Sequence, residues 1–292
     1  MKNSDLHTHS YHSDGELSPR EVITEAKKAG IKNLALTDHN SFDGVKEAVE
    51  EGKKWGINVI PAFEIRVDGD EVLGYFIDYE NKDFIREIKI VQNRVSDRVK
   101  KIILKLNDKG INVSFEDLLE RYKPNKNPLE IHLIKYLSEK GYGEIQELWG
   151  KYIRETGETY VPIEEVSAPD MIKIIAEYGG VPVLAHPWVS TKSKKLLEEE
   201  NFVKLVEAGL KGIEIDNGDR DERRDEKTLE RIKELAKKYN LIITSGSDFH
   251  GATLIKISGT HQIGKFNCDE KVVEELSKLS KKIKSLKFHF NS

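Results

Sequence analysis

"IKNLALTDHN", residues 31–40, sets a short apolar run directly against a polar end. The run is the length of one buried strand, and its last residues turn abruptly hydrophilic. Just upstream, "SPRE" (18–21) reads as a capping box, with Ser18 as N-cap, Pro19 at the first helical position and Glu21 three residues on. A helix should therefore run to about Ala29 and stop at Gly30. Downstream, a second helix ends near Gly56 and "INVIPAFEI" (57–65) is the next strand, with Glu64 near its end; "EVLGYFIDY" (71–79) continues in β-type residues. Apolar runs separated by helices are the mark of an α/β protein with a mostly parallel sheet.

The alternation then breaks. From about 81 to 160 the spacing is helical throughout. Phe84, Ile88, Val91, Val95, Val99, Ile102 and Leu106 recur at steps of three and four, one face of a long amphipathic helix. That stripe is expected to pack within a helical subdomain, which "SFEDLLERY" (114–122) and "PLEIHLIKYLSEKG" (128–141) extend. Strands return with "SAPDMIKIIAEYGG" (167–180, Ser167 as N-cap) leading into "VPVLAHP" (181–187), then "GLKGIEID" (209–216), a charged helix and "NLIITSGSDFHG" (240–251). The expected organisation is one α/β domain, 1–80 and 161–292, interrupted by a helical insertion over 81–160.

The 292 residues suffice for such a core without staples, and the single cysteine, Cys268, excludes a disulfide framework and any multi-cysteine zinc site. A net charge of −4 argues against a broad nucleic-acid-coating surface but leaves room for a local phosphate site. The opening "MKNSDLHTHS" lacks an apolar signal region and no stretch has the length of a membrane span, so a cytoplasmic protein is expected, with no membrane or protein partner evident.

The polar residues gather where strands end. "DLHTHSYHSDG" (5–15) brings His7 and His9 in alternation, which places both on one side of an extended strand, with Asp14 shortly after. His39 follows "NLALT", Glu64 lies near the end of its strand, His186 follows "VPVLA", and Asp248 and His250 follow "LIITSGS". The C-terminal ends of parallel strands converge on one face, where active sites are built. Eight imidazole and carboxylate ligands on one rim exceed the needs of one ion, since tetrahedral zinc takes about four. Two or three divalent ions bridged by shared carboxylates fit better, and the thiolate-free mix suits zinc, manganese or iron. Such ions acidify a bridging water and stabilise phosphoryl charge, which makes phosphate-ester hydrolysis the apt reaction. Asp38 reads as a turn or supporting residue, Asp5 as one that orients a histidine ligand, and His12, His261 and His289 as surface or supporting residues.

In order along the chain, "DLHTHSYHSDG", "ALTDHN", the Glu of "PAFEI", "LAHP" and "GSDFHG" resemble the motifs of the polymerase and histidinol phosphatase (PHP) superfamily. The helical insertion resembles its branch of small phosphoesterases acting on nucleoside 3′,5′-bisphosphates and short RNA 5′ ends. The resemblance implies a distorted (β/α)7 barrel with a trinuclear metal site. His7, His9, Glu64 and Asp248 would hold one metal, Glu64 would bridge to a second shared with His186, and Asp14, His39 and His250 would hold the third. Where the branch usually has histidine in the strand after the Glu motif, this chain has Glu71: a carboxylate ligand with altered metal preference, or a solvent-facing residue whose place water takes.

The branch often carries Arg-Pro-His in the insertion, contacting substrate phosphate. Here "NKNPLEIHLIKYL" (125–137) keeps His132 but has Glu130 in the arginine position. The candidate substrate contacts are therefore His132, Lys126 and Arg121, with Lys135 a further cation. Trp188 is expected either to stack on a base or to serve as a core residue at the rim. A small phosphorylated substrate, a nucleotide or short RNA, is the expected partner. A histidinol-phosphate-type phosphatase is the competing enzyme reading, disfavoured by the position of the insertion. An inactive scaffold is disfavoured by the complete ligand set.

Overall fold

The computed structural model describes residues 2–67, 69–216, 224–253, 255 and 260–290, with side chains left aside at Thr191 and 286–290; the side chain of His289 thus lies outside the described residues. Eight strands form one sheet in the order β7-β6-β5-β4-β3-β2-β1-β8. They are β1 (Lys2–Thr8), β2 (Asn33–Leu36), β3 (Asn58–Val67), β4 (Asp70–Tyr75), β5 (Val181–Leu184), β6 (Gly212–Asp216), β7 (Ile242–Ser245) and β8 (Cys268–Asp269). The sheet curls into a nearly closed barrel. Its seam is the segment after β7, where Thr8 bridges Phe249 in parallel and the Asp248 amide donates to the His7 carbonyl at 2.8 Å. The two-residue β8 covers the other half of the same edge, antiparallel to the start of β1.

Local sequence accounts for the first units. Ser18 caps α1 (Pro19–Lys28): its hydroxyl accepts from the Glu21 amide, and the Glu21 carboxylate accepts from the Ser18 amide. Helix α2 (Val45–Trp55) ends at Gly56 in the left-handed conformation, φ 67°. Both helices are apolar on one face only, so Val22, Ile23, Ala26 and Ala48 bury against β2 and β3.

One strand departs from the parallel rule. β4 pairs antiparallel with both β3 and β5, with Glu64 opposite Leu73 and Arg66 opposite Glu71. A tight hairpin forces this reversal, because parallel neighbours need a long crossover. The consequence is functional: the N-terminal end of β4 lies on the rim where the other strands finish, and Glu71 comes with it.

The insertion is helical, as its spacing predicts: α3 (Lys82–Asp108), α4 (Phe115–Arg121), α5 (Glu130–Glu139), α6 (Ile145–Leu148) and a π-helical turn, Trp149–Ile153. Its stripe is shared rather than confined to a subdomain. Phe84, Ile88 and Val91 pack into the barrel core with Phe63 and Tyr178. Val99, Ile102 and Leu106 pack with Leu118, Leu133 and Leu137 in a second core. Helix α3 is thus a splint from barrel to insertion, and each fully buried Leu, Ile or Phe contributes about 1.5–3 kcal/mol to that join. The fold closes with α7 (Ala168–Glu177), α8 (Thr191–Leu196), α9 (Glu199–Ala208), α10 (Glu226–Lys238) and α11 (Glu270–Phe290). No helix among the described residues is long and apolar enough to cross a membrane.

Candidate metal centre

Glu64 lies at the middle of the rim, fully buried. Its Oε2 is 3.1 Å from His7 Nε2, 3.3 Å from His9 Nε2 and 3.2 Å from His39 Nδ1, while Oε1 is 3.0 Å from His186 Nε2. The two oxygens of one carboxylate therefore serve two sets of imidazoles. Asp248 Oδ1 closes the first set, 3.4 Å from His7 Nε2 and 3.2 Å from His9 Nε2. On the far side of His9, Asp14 Oδ1 stands 3.3 Å from His250 Nε2 and 3.7 Å from His39 Nε2. Glu71 faces inward between the sets, its Oε1 3.6 Å from His39 Nδ1 and its Oε2 3.5 Å from His186 Nε2. All nine ligand candidates thus converge, contributed by the ends of β1, β2, β3, β5 and β7 and the start of β4.

Local backbone makes this possible. Alternation along β1 turns His7 and His9 to the same side. Asp248 sits at φ 50°, a left-handed conformation that a non-glycine residue adopts at a cost and that functional sites retain. It is held there by the amide bond to His7 and by its own carbonyl, which accepts from His261 Nδ1 at 2.8 Å and meets His250 Nδ1 at 2.9 Å. Asp38 supports the loop carrying Asp14: its oxygens accept from the Ser10 amide, the Ser10 hydroxyl and the Ser13 hydroxyl, each at 2.7 Å. His12, half-buried, lies beside Asp38 and outside the cluster.

The electrostatics are those of a site built for cations. Burial would push the His7 imidazole down, but Glu64, Glu214 and Asp248 outweigh it and hold it well above its usual value. Burial likewise opposes ionisation of Asp14, Glu64 and Asp248, yet the surrounding imidazoles hold all three well below the usual carboxylate range. His9, buried beside His250 and His39, falls to about 3 and is neutral. Burial and the nearby Glu64 charge raise Glu71. Four buried atoms of this cluster, His9 Nδ1 and Nε2, Asp14 Oδ1 and His186 Nδ1, have no hydrogen-bond partner. Unpartnered buried nitrogen and oxygen of this kind cost about 1–3 kcal/mol each, and bound divalent ions would relieve that penalty at His9 Nε2 and Asp14 Oδ1. The donor set therefore fits metal.

One residue escapes the sequence reading. Glu214, in the middle of β6 and fully buried, accepts through Oε2 from the His186 amide at 3.0 Å and through Oε1 meets His7 Nδ1 at 3.1 Å. It fixes the His7 tautomer so that Nε2 points to Glu64 and Asp248, the usual role of a carboxylate behind a ligating histidine. The available signal was a glutamate inside the otherwise apolar strand "GLKGIEID".

Two supporting expectations change. Trp188 is fully buried in the barrel core, with the Arg224 guanidinium 5.4 Å from its ring centroid, and offers no open face to a base. Asp5 bonds to backbone: its oxygens accept from the amides of His7 at 3.4 Å, Ser247 at 2.8 Å and Gly264 at 2.9 Å, so it clamps the barrel seam. In the insertion, His132 is buried and lines a cavity with Asp14, its Nδ1 accepting from the Leu129 amide at 2.8 Å. Arg121 lines the same cavity but is held by both oxygens of Glu139 at 2.8 Å. Lys135 reaches the Asp14 carbonyl at 3.4 Å. Lys126 is exposed and borders none of the cavities beside the metal centre. Glu130 is buried and paired with Arg98.

Comparison with known proteins identifies the family. The model of the PHP domain matches residues 5–164. The chain is 30% identical over 260 residues to the phosphoribosyl 1,2-cyclic phosphate 1,2-diphosphodiesterase of Eggerthella lenta, covering 85% of this chain and 94% of that protein. It is 28% identical over 259 residues to the 3′,5′-nucleoside bisphosphate phosphatase of Chromobacterium violaceum (86% and 88% covered). It is 27% identical over 257 residues to a 5′-3′ exoribonuclease of Haemophilus influenzae (85% and 90%). Among solved structures, an amidohydrolase from Chromobacterium violaceum with bound sulfate and no metal superposes with a TM-score of 0.80 at 26% identity, covering 95% of this chain and 96% of that one. A Bifidobacterium adolescentis protein described as a candidate metal-dependent phosphoesterase shares the fold, with a TM-score of 0.83 at 23% identity over 95% and 96%.

Proposed function

The chain belongs to the PHP domain family and is a metal-dependent phosphoesterase, and from that premise we propose that it hydrolyses phosphate monoesters of nucleotide-type substrates, a 3′,5′-nucleoside bisphosphate or the 5′ end of a short RNA. The observation that carries the reading is Glu64, whose oxygens face His7, His9 and His39 on one side and His186 on the other. A bridging carboxylate of this kind belongs to adjacent cation sites. Our assignment gives His7, His9, Glu64 and Asp248 to one ion, Glu64, Glu71 and His186 to a second, and Asp14, His39 and His250 to a third. Two or three divalent ions, manganese, zinc or iron, would occupy them. When bound, such ions acidify water and neutralise charge on phosphoryl oxygens.

The chain's own residues supply the positioning. Glu214 and the Asp38 network fix the ligands before substrate arrives, so little reorganisation is needed. The insertion, 81–160, serves as the specificity wall: Val95, Leu129, Ile131 and Trp149 line the space over His39 and Glu71. Burial holds the His132 imidazole down at about 4, so it meets substrate as a neutral hydrogen-bonding group rather than as a cation.

The test is phosphate release by the metal-reconstituted protein from adenosine 3′,5′-bisphosphate, nucleoside monophosphates, a 5′-phosphorylated oligoribonucleotide and histidinol phosphate. The highest kcat/KM is expected on the bisphosphate or the oligonucleotide. Preference for histidinol phosphate would reject the substrate class.

A further inference from the structure

Two cavities border the metal centre, and a third shares a wall with one of them. The smallest, about 140 Å3, lies against Asp14, His39 and Glu71. It shares Asp14 with a cavity of about 570 Å3 under α4 and α5, and it shares Arg66 and Trp149 with a third of about 650 Å3 on the other side. One large chamber thus adjoins the metal centre through Asp14, and the other lies one wall further out, behind Arg66 and Trp149.

The chambers differ in charge. Arg121, Lys123 and Lys135 line the first, against Asp14, Glu16 and Glu139, so it is balanced and Arg121 is already held by Glu139. The second is lined by Arg66, Arg98, Arg154 and Lys192 with Glu155 and Glu165; Lys192 pairs with Glu155 at 3.2 Å, so of its four cations only Arg154 is left without an ion pair among the described residues. Arg98 is nearly buried and fixed by Glu130 and the Val161 carbonyl. Arg154 is exposed and forms no ion pair among the described residues. Arg66 stands at the junction. It forms an ion pair with Glu165, Nε to Oε1 2.7 Å, and it lines both the small cavity and the large one.

Building on the phosphoesterase reading, we propose that the chamber of Arg66, Arg98, Arg154 and Lys192 is the subsite for a second phosphate of the substrate. The reacting phosphate would lie at the ligand cluster, and the remote one would enter where cationic side chains outnumber the lining carboxylates and Arg154 is unpaired among the described residues. Guanidinium groups offer paired donors suited to phosphate oxygens. The chamber's size admits a sugar phosphate with room to spare. This places the anchor opposite to Arg121 and Lys126, where sequence alone puts it.

The test is titration of the full-length, metal-stripped protein with adenosine 3′,5′-bisphosphate and with adenosine 3′-monophosphate, while phosphate release is assayed separately on the metal-loaded protein. The wild type should bind the bisphosphate at least tenfold more tightly. Arg154→Glu and Lys192→Glu, both at exposed positions where folding is not at risk, should each cut that ratio at least fivefold. Arg121→Ala should leave it within twofold. No bisphosphate preference in the wild type, or a preference abolished by Arg121→Ala and untouched by Arg154→Glu, overturns the subsite. Arg154-dependent binding without phosphate release would keep the subsite and reject the hydrolase substrate reading; release without Arg154 dependence would do the reverse.

Discussion

At the scale of single residues, the carboxylates matter more than any one imidazole, because Glu64 and Asp248 each meet at least two histidines. Glu64→Gln and Asp248→Asn should lower metal content and reduce activity at least a hundredfold, whereas His12→Ala should change either less than threefold; elemental analysis with a phosphate-release assay reads both. Glu214→Gln leaves the shape but weakens the hold on His7, and metal affinity should fall about 10–100-fold, measured by competition with a chelator. His132 gives a pH signature. Its folded imidazole titrates near 4 against about 6.5 unfolded, so on acidification the unfolded chain takes the proton first. This stability is complete above pH 6.5 and fades as pH falls to 4, by up to about 3 kcal/mol. Denaturant melts of His132→Asn across that range should show a shallower acid decline than the wild type. The eight strand-end ligand candidates were legible in sequence because a polar residue closing an apolar run is a local signal. Glu214 was not, since nothing local says which side of β6 faces His7, and Trp188 was ambiguous because its burial depends on helices that pack from elsewhere.

Among the elements, the parallel strands, the capped α1 and the helical character of the insertion could be read from periodicity and caps. The reversal of β4 and the double loyalty of α3 could not. Both are settled by tertiary packing: a hairpin too short for a crossover, and a stripe long enough to reach two cores. The barrel seam is the element on which the ligands most depend. A Cβ on Gly246 would lie 2.4 Å from both the amide nitrogen and the Cβ of His7, so the backbones meet there without room for a side chain. Gly246→Ala should destabilise the fold by about 1–3 kcal/mol and weaken metal binding, visible as a lower thermal midpoint whose metal-induced increase also shrinks. A midpoint unchanged by the substitution would mean that the seam tolerates opening.

Over the whole molecule, the barrel supplies a rim of ligand candidates and the insertion contributes walls to the cavities around it. Sequence motifs located the ligand candidates but could not bring Arg66 and Arg154 together, because they are far apart along the chain and line one cavity only when β3 meets the end of the insertion. The central claim is that the rim is a multi-ion centre bridged by Glu64. Elemental analysis of protein purified without chelators and reconstituted with manganese, zinc or iron tests it most directly. Two or three divalent ions per chain are predicted, falling by at least one in Glu64→Gln; a content near zero with all three metals, or one unchanged by that substitution, would contradict the account.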